Sequence, residues 1–124
     1  MITYKFGDIV LIGFPHTDLQ GVSKRPAIVL FDSGDQDVLV ARVTTQEYRS
    51  EGDYKVGDWG KCGLLGESYI RLGKQATVEK RFIIRKLGTL ETKEIEVLKS
   101  ILKKCSTCNF VLSQNRRRFW KPKN

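Results

Sequence analysis

The chain has 124 residues, the size of one domain, and 40% of them are hydrophobic, which suffices for a modest core. Its formal net charge of +8, from 22 basic and 14 acidic residues, favours nucleic acid as a partner over a membrane surface. Because no run of about 18 apolar residues occurs and residues 1–8 lack a signal-peptide pattern, we expect a cytoplasmic protein without transmembrane segments.

The first third of the chain predicts three strands joined by polar segments. Residues 8–14, 26–32 and 37–44 are short runs rich in branched aliphatic side chains. Pro26 should open the second strand, because proline cannot donate a hydrogen bond within a central ladder. Residues 17–24 are therefore predicted to be a polar loop between the first two strands.

The rest of the chain predicts shorter strands and then one helix. Four strand candidates are residues 54–56, 68–72, 75–78 and 83–87, with a glycine-containing loop at 59–66. Residues 91–104 predict the clear helix, because apolar residues recur there at three- and four-residue spacing. Many short strands followed by one helix predict a mainly β fold, a small and strongly curved barrel with a C-terminal helix.

The end of the chain differs in composition from the remainder. We predict a folded domain at 1–104 and a basic tail at 105–124, which contains five of the basic residues and no acidic one. A solvated tail is the ordinary interpretation of such a segment, and weak nonspecific contact with RNA is the functional alternative.

Cysteine and histidine usage gives little support for a metal site. Cys105 and Cys108 have metal-like spacing, but a zinc site needs about four ligands, and the other candidates are Cys62 and the one histidine, His16. An odd number of cysteines in a cytosolic chain also argues against a disulfide framework. We expect reduced thiols, no metal site and no cofactor.

Arg25 is the strongest single candidate for chemistry. It lies between the polar loop and the second strand, so its backbone should be fixed while its guanidinium reaches solvent. Such a guanidinium can bind a phosphate through two parallel hydrogen bonds. The alternative is an ordinary surface arginine. Thr44 and Thr45 end the third strand, where a hydroxyl can donate to a phosphate oxygen, although threonine is also a common strand residue.

Two side chains that precede Arg25 in the sequence, those of Asp18 and His16, could accept or donate a proton. Asp18 could act as a general base, pair with Arg25, or simply shape a turn. His16 titrates near neutrality, although a histidine without an evident partner is more often structural.

Taken together and in order, five segments resemble the MazF/PemK family of toxin endoribonucleases. They are GDIVLIGFPHTD, KRPAIVL, VTTQ, DWGKCGLLGESYIRL and KLGTL, and the pattern can be followed over most of residues 5–103. The resemblance implies an SH3-like, plasmid-maintenance-toxin barrel that forms a homodimer. It also implies metal-independent, sequence-specific cleavage of single-stranded RNA, and a cognate antitoxin that occupies the RNA groove.

The resemblance also assigns residues. Arg25 and Thr44 match the family's catalytic arginine and threonine. We predict Asp18 as the general base of the same site. Ser68 and Arg71 match substrate contacts. We complete the predicted RNA-binding set with three flanking residues, which are Lys24, Thr45 and Gln46.

The implied reaction is attack of a ribose 2′-OH on the adjacent phosphorus. The competing hypothesis is a non-catalytic or inactive barrel that binds RNA, or a protein or antitoxin partner, because one fold can host both functions. Arg25 together with Thr44 distinguishes the two, since a pure binding module does not require that pair.

Overall fold

A computed structural model describes residues 2–15, 22–48 and 52–104 of the chain. These residues form one antiparallel sheet in the order β4-β5-β3-β2-β1-β6, followed by a helix. The elements are β1 (Asp8–Pro15), β2 (Val22–Asp32), β3 (Asp37–Thr44), β4 (Asp53–Lys55), β5 (Tyr69–Glu79), β6 (Ile83–Thr89) and α1 (Thr92–Lys104), with a 3₁₀ turn at Lys80–Phe82. The predicted mainly β fold with a C-terminal helix is confirmed. No helix in the described segments is long and apolar enough to cross a bilayer.

Apolar side chains are buried on both faces of the sheet. One core lies between the sheet and α1, and its fully buried members include Ile9, Ile28 and Leu98. The second core lies on the opposite face and includes Val10 and Val29. Because successive residues of a strand point to opposite faces, adjacent residues such as Ile9 and Val10 supply different cores, and the strands read as nearly continuous hydrophobic runs.

The helix is fixed to the sheet by a buried carboxylate as well as by apolar packing. Glu94 of α1 is only 4% exposed, and its Oε1 accepts hydrogen bonds from the Tyr54 hydroxyl (2.7 Å) and the Gly57 backbone N–H (2.8 Å). Burial, with the Glu94 carboxylate beside it, raises the pKa of Tyr54, so that phenol stays protonated at neutral pH. Leu98 and Leu102 are buried, as the predicted helical spacing requires.

The second strand begins earlier than predicted, at Val22 instead of at Pro26. The prediction that residues 17–24 form a loop is therefore wrong for 22–24, and residues 16–21 lie outside the described ranges. Pro26 pairs with Leu11 of β1, whereas the ladder with β3 starts only at Ala27. Pro26 thus has a paired neighbour on one side only, and such edge positions tolerate a residue without an N–H.

The two strands expected at 68–72 and 75–78 are one strand, β5. A bulge interrupts its pairing with β3: Ala41 pairs with Gln75, and the next residue, Arg42, pairs with Arg71. The bulge absorbs the extra residues around Gly73, so that glycine marks an irregularity within the strand instead of its end.

The loop between β4 and β5 approaches β6 so closely at Gly63 that no side chain fits at that position. Gly63 has a φ of +81°, and a Cβ there would lie 2.2 Å from the Leu87 carbonyl oxygen. We expect Gly63→Ala to lower the free energy of unfolding by about 1–3 kcal/mol, because it combines backbone strain with a backbone clash. Thermal unfolding measures the change. The matched control is Gly60→Ala, where a Cβ meets nothing within 4 Å; equal stability of the two variants would contradict this loop packing.

Candidate functional site

One face of the sheet carries three arginines at the end where β3 stops. Ala27, Arg42 and Arg71 are direct partners across β2, β3 and β5, so their side chains share a face. Residues two positions away on the same strands also lie on that face. We call this surface the arginine face, and its members are Arg25, Arg42, Thr44, Tyr69 and Arg71.

The two predicted catalytic residues, Arg25 and Thr44, lie on this face, just beyond the last pair of the β2–β3 ladder. Continuing the register of the Ala27–Arg42 pair by two residues brings Arg25 opposite Thr44. The backbone of Arg25 is held by pairing with Ile12 of β1, while its side chain is exposed. A fixed backbone with an exposed guanidinium is what phosphate binding requires.

The threonine hydroxyl is oriented by the turn that follows β3. The Gln46 backbone N–H donates to Thr44 Oγ1 over 3.1 Å, which occupies one lone pair and leaves the hydroxyl proton to donate elsewhere. Thr45 and Gln46 are both exposed immediately beyond the strand. The end of β3 thus presents several polar groups beside Arg25.

Arg71 is held from two sides. Its Nε donates to Asp53 Oδ1 over 3.1 Å, and its guanidinium carbon lies 3.8 Å from the centroid of the Tyr48 ring. The Tyr48 hydroxyl in turn donates to Gln46 Oε1 over 3.2 Å. The Arg71 side chain is only 15% exposed. Through Tyr48 and Gln46, this arginine is connected to the turn that orients Thr44.

The other predicted site residues are spread more widely. Lys24 is exposed but adjoins Arg25 on β2, so its side chain points to the opposite face of the sheet. Ser68 is 3% exposed, and its hydroxyl donates to the Gly66 carbonyl over 2.9 Å, which gives it a role in loop structure. The candidate bases Asp18 and His16 lie outside the described residues.

The buried thiol of Cys62 is not suited to nucleophilic chemistry. Burial, with the carboxylates of Glu94, Asp58 and Glu91 nearby, raises its pKa to about 11, so the thiolate is scarce at neutral pH. Within residues 2–15, 22–48 and 52–104, no cluster of three or more histidine, cysteine or acidic side chains could hold a metal ion. Cys105 and Cys108 lie outside those residues.

Sequence reasoning missed Arg42, Tyr48 and Asp53. Arg42 could have been found, because it precedes Thr44 by two residues in a predicted strand and must share its face. Asp53 could not, because its contact with Arg71 depends on the pairing of β4 with β5, which no local pattern reveals.

Comparison with known proteins identifies the family. Residues 5–105 match the model of the PemK-like, MazF-like toxins of type II toxin-antitoxin systems. No curated protein sequence matches the chain significantly.

Several solved structures share the fold. An endoribonuclease from a mycobacterial species aligns with a TM-score of 0.65 and 14% identity, over 82% of this chain and 89% of that chain. The Mycobacterium tuberculosis toxin MazF-mt6 aligns with a TM-score of 0.63 and 19% identity, over 77% and 91%. A MazE-MazF structure from Deinococcus radiodurans aligns with a TM-score of 0.64 and 16% identity, over 84% and 93%.

At these identities the structural likeness establishes the MazF-like barrel, and the family match spans most of the chain, including β1 to β6 and α1. The chain therefore belongs to the family of PemK-like, MazF-like toxins of type II toxin-antitoxin systems.

Proposed function

We propose that this protein is a sequence-specific endoribonuclease that cleaves single-stranded RNA without a metal, as the toxin of a type II toxin-antitoxin pair. The observation that carries the proposal is that Arg25 lies opposite Thr44 in the continued register, on a face that also carries the exposed Arg42 and the mostly buried Arg71. A cationic strand face with a hydroxyl at its end suits a phosphodiester backbone.

In the proposed reaction the ribose 2′-OH attacks the adjacent phosphorus. The 2′-O–P bond forms as the P–O5′ bond breaks, which yields a 2′,3′-cyclic phosphate and a 5′-OH. Arg25 stabilises the negative charge that develops on the phosphoryl oxygens, and it stays protonated throughout. The Thr44 hydroxyl donates to one of those oxygens. Asp18 or His16 accepts the 2′-OH proton, and water supplies the proton that the leaving O5′ takes up to become the 5′-OH.

The RNA-binding residues of the proposal divide into two groups. Thr45 and Gln46 are exposed beside Thr44 and can contact the nucleotides that flank the cleaved bond. The other three members of the predicted set support the site without facing the cleaved phosphate: Lys24 lies on the opposite face of the sheet, Arg71 is paired with Asp53, and Ser68 holds the loop that leads into β5. The proposed domain is residues 1–104, with 105–124 as a basic tail that adds nonspecific attraction to RNA.

We further propose that the protein acts as a cytoplasmic homodimer and is neutralised by a cognate antitoxin that occupies the RNA groove. The antitoxin part of this proposal is supported by the MazE-MazF structures from Deinococcus radiodurans and by an endoribonuclease in complex with its cognate antitoxin from a mycobacterial species. Each has the fold of this chain.

The direct test is incubation of the purified protein with a long single-stranded RNA in EDTA, beside DNA of the same sequence. We expect discrete RNA fragments that end in 2′,3′-cyclic phosphate and 5′-OH, with the DNA intact, because the attack needs the 2′-OH. Gel electrophoresis and end-group analysis measure both. Intact RNA despite retained binding would contradict the nuclease proposal and favour a non-catalytic binding module instead.

A further inference from the structure

Two arginines face each other directly across neighbouring strands. Arg42 of β3 and Arg71 of β5 are Cα partners in the antiparallel ladder. Like charges in directly opposite positions destabilise a sheet. A counter-charge at either guanidinium group reduces this repulsion, and a bound anion can supply it where the protein does not.

The two guanidinium groups differ in how they are satisfied. Arg71 is mostly buried, its charge is balanced by the Asp53 carboxylate at 3.1 Å, and Tyr48 covers one side of it. Arg42 is exposed, and in the part of the chain that the structure describes no carboxylate forms an ion pair with it. The Asp53–Arg71 pair thus fixes one cation within the sheet, and Arg42 presents the other to solvent.

The position of Arg42 relative to Thr44 defines what it can reach. The two residues are two positions apart on β3, or about 7 Å along the strand at the usual rise, and share a face. That separation suits neighbouring phosphates of a single strand whose cleaved phosphate lies between Thr44 and Arg25.

We propose that Arg42 binds the RNA backbone phosphate next to the scissile one, in a subsite that lies beside the Asp53–Arg71 pair. This inference rests on the proposed function, since it takes the scissile phosphate to lie at Arg25 and Thr44. Arg42 contributes affinity for the RNA backbone in the ground state and the transition state alike. It is a binding residue and not a catalytic one.

The salt dependence of RNA affinity tests the subsite without cleavage. The Kd of a fully 2′-O-methylated RNA oligonucleotide, which has no free 2′-OH to attack, is measured against salt concentration by fluorescence anisotropy. Each phosphate contact contributes about 0.7 to the slope of log K against log salt for a single strand. We expect Arg42→Gln to reduce the slope by about 0.7 and Arg42→Lys to restore most of it, because lysine keeps the charge.

The matched control is Arg85→Gln. Arg85 is also an exposed strand arginine, but it pairs with Leu11 of β1 and lies on the other face of the sheet. We expect its slope to equal that of the unaltered protein. Equal slopes for Arg42→Gln and Arg85→Gln, with both variants folded by circular dichroism, would overturn the subsite.

Cleavage kinetics separate this subsite from the proposed function. With a cleavable RNA we expect Arg42→Gln to raise KM about tenfold, the effect of losing one charge-assisted hydrogen bond, with kcat within about twofold. A drop in kcat at unchanged KM would overturn the binding role. If the unaltered protein cleaves no RNA, the nuclease proposal is contradicted. A reduced salt slope in Arg42→Gln would still support the contact between Arg42 and a backbone phosphate.

Discussion

Arg25→Ala is expected to lower kcat/KM for RNA cleavage by about 10²–10³-fold, the usual cost of removing one group that stabilises charge in the transition state. The Arg25 side chain is exposed and its backbone is held by Ile12, so the substitution removes charge without opening a cavity. We expect the free energy of unfolding to change by no more than about 0.5 kcal/mol. Initial rates on a cleavable RNA and a thermal melt measure the two quantities.

Arg85→Ala is the control for this experiment, because it removes an equivalent exposed positive charge from the opposite face of the sheet. It should cleave RNA at nearly the rate of the unaltered protein. If Arg25→Ala also retains that rate, then Arg25 is not at the reacting phosphate, and the assignment of Thr44 opposite it loses its basis as well.

The parts of the fold that local pattern determines were predicted well. The strand at 37–44 has the predicted bounds, and the predicted helix at 91–104 differs from Thr92–Lys104 by one residue. Alternation and helical spacing are properties of the segment itself, so they can be read without knowing its neighbours. The prediction of two separate strands at 68–72 and 75–78 was wrong, because pairing with a neighbouring strand determines where a strand ends. β5 continues through Gly73 because it pairs with β3 on both sides of a bulge.

The candidate site shows the same division. Motifs predict Arg25 and Thr44 as site residues, and the strand register puts both on one face of the sheet. The support for Arg71 could not be read from the sequence, because Asp53 and Tyr48 reach it through strand pairing and through the turn after β3. For Ser68 the motif predicts a substrate contact, but the side chain is buried and its hydroxyl donates a hydrogen bond to the Gly66 carbonyl.

The second large effect is expected at a buried ion pair remote from the arginine face. The Asp32 side chain is fully buried and accepts hydrogen bonds from the backbone N–H groups of Tyr4 (2.7 Å) and Gly34 (2.8 Å). It also lies 2.9 Å from Lys80 Nζ. Burial acts to raise the pKa of the Asp32 carboxyl, but the two hydrogen bonds and the Lys80 ammonium outweigh it, so the pKa is lowered.

We expect Asp32→Asn to lower the free energy of unfolding at neutral pH by about 3 kcal/mol, because it leaves the Lys80 ammonium buried without its counter-charge. The pKa of Asp32 is lower in the folded state than in the unfolded state, so its stabilising effect is present at neutral pH. That effect is lost as the pH falls below about 4 and the carboxylate is protonated. The variant should therefore lose less stability than the unaltered protein over that acidic range. Urea unfolding at a series of pH values measures both effects.

Glu67→Gln provides the comparison, because Glu67 pairs with Lys55 at 3.3 Å while both side chains are 59% exposed. Solvent screens such a pair, so its loss should destabilise the protein far less than loss of the Asp32–Lys80 pair. If Asp32→Asn proves no more destabilising than Glu67→Gln, the Asp32–Lys80 pair does not hold the N-terminal segment and the start of the 3₁₀ turn together. The stability of that end of the sheet would then depend on apolar packing of Phe82 and Ile83 against the second core.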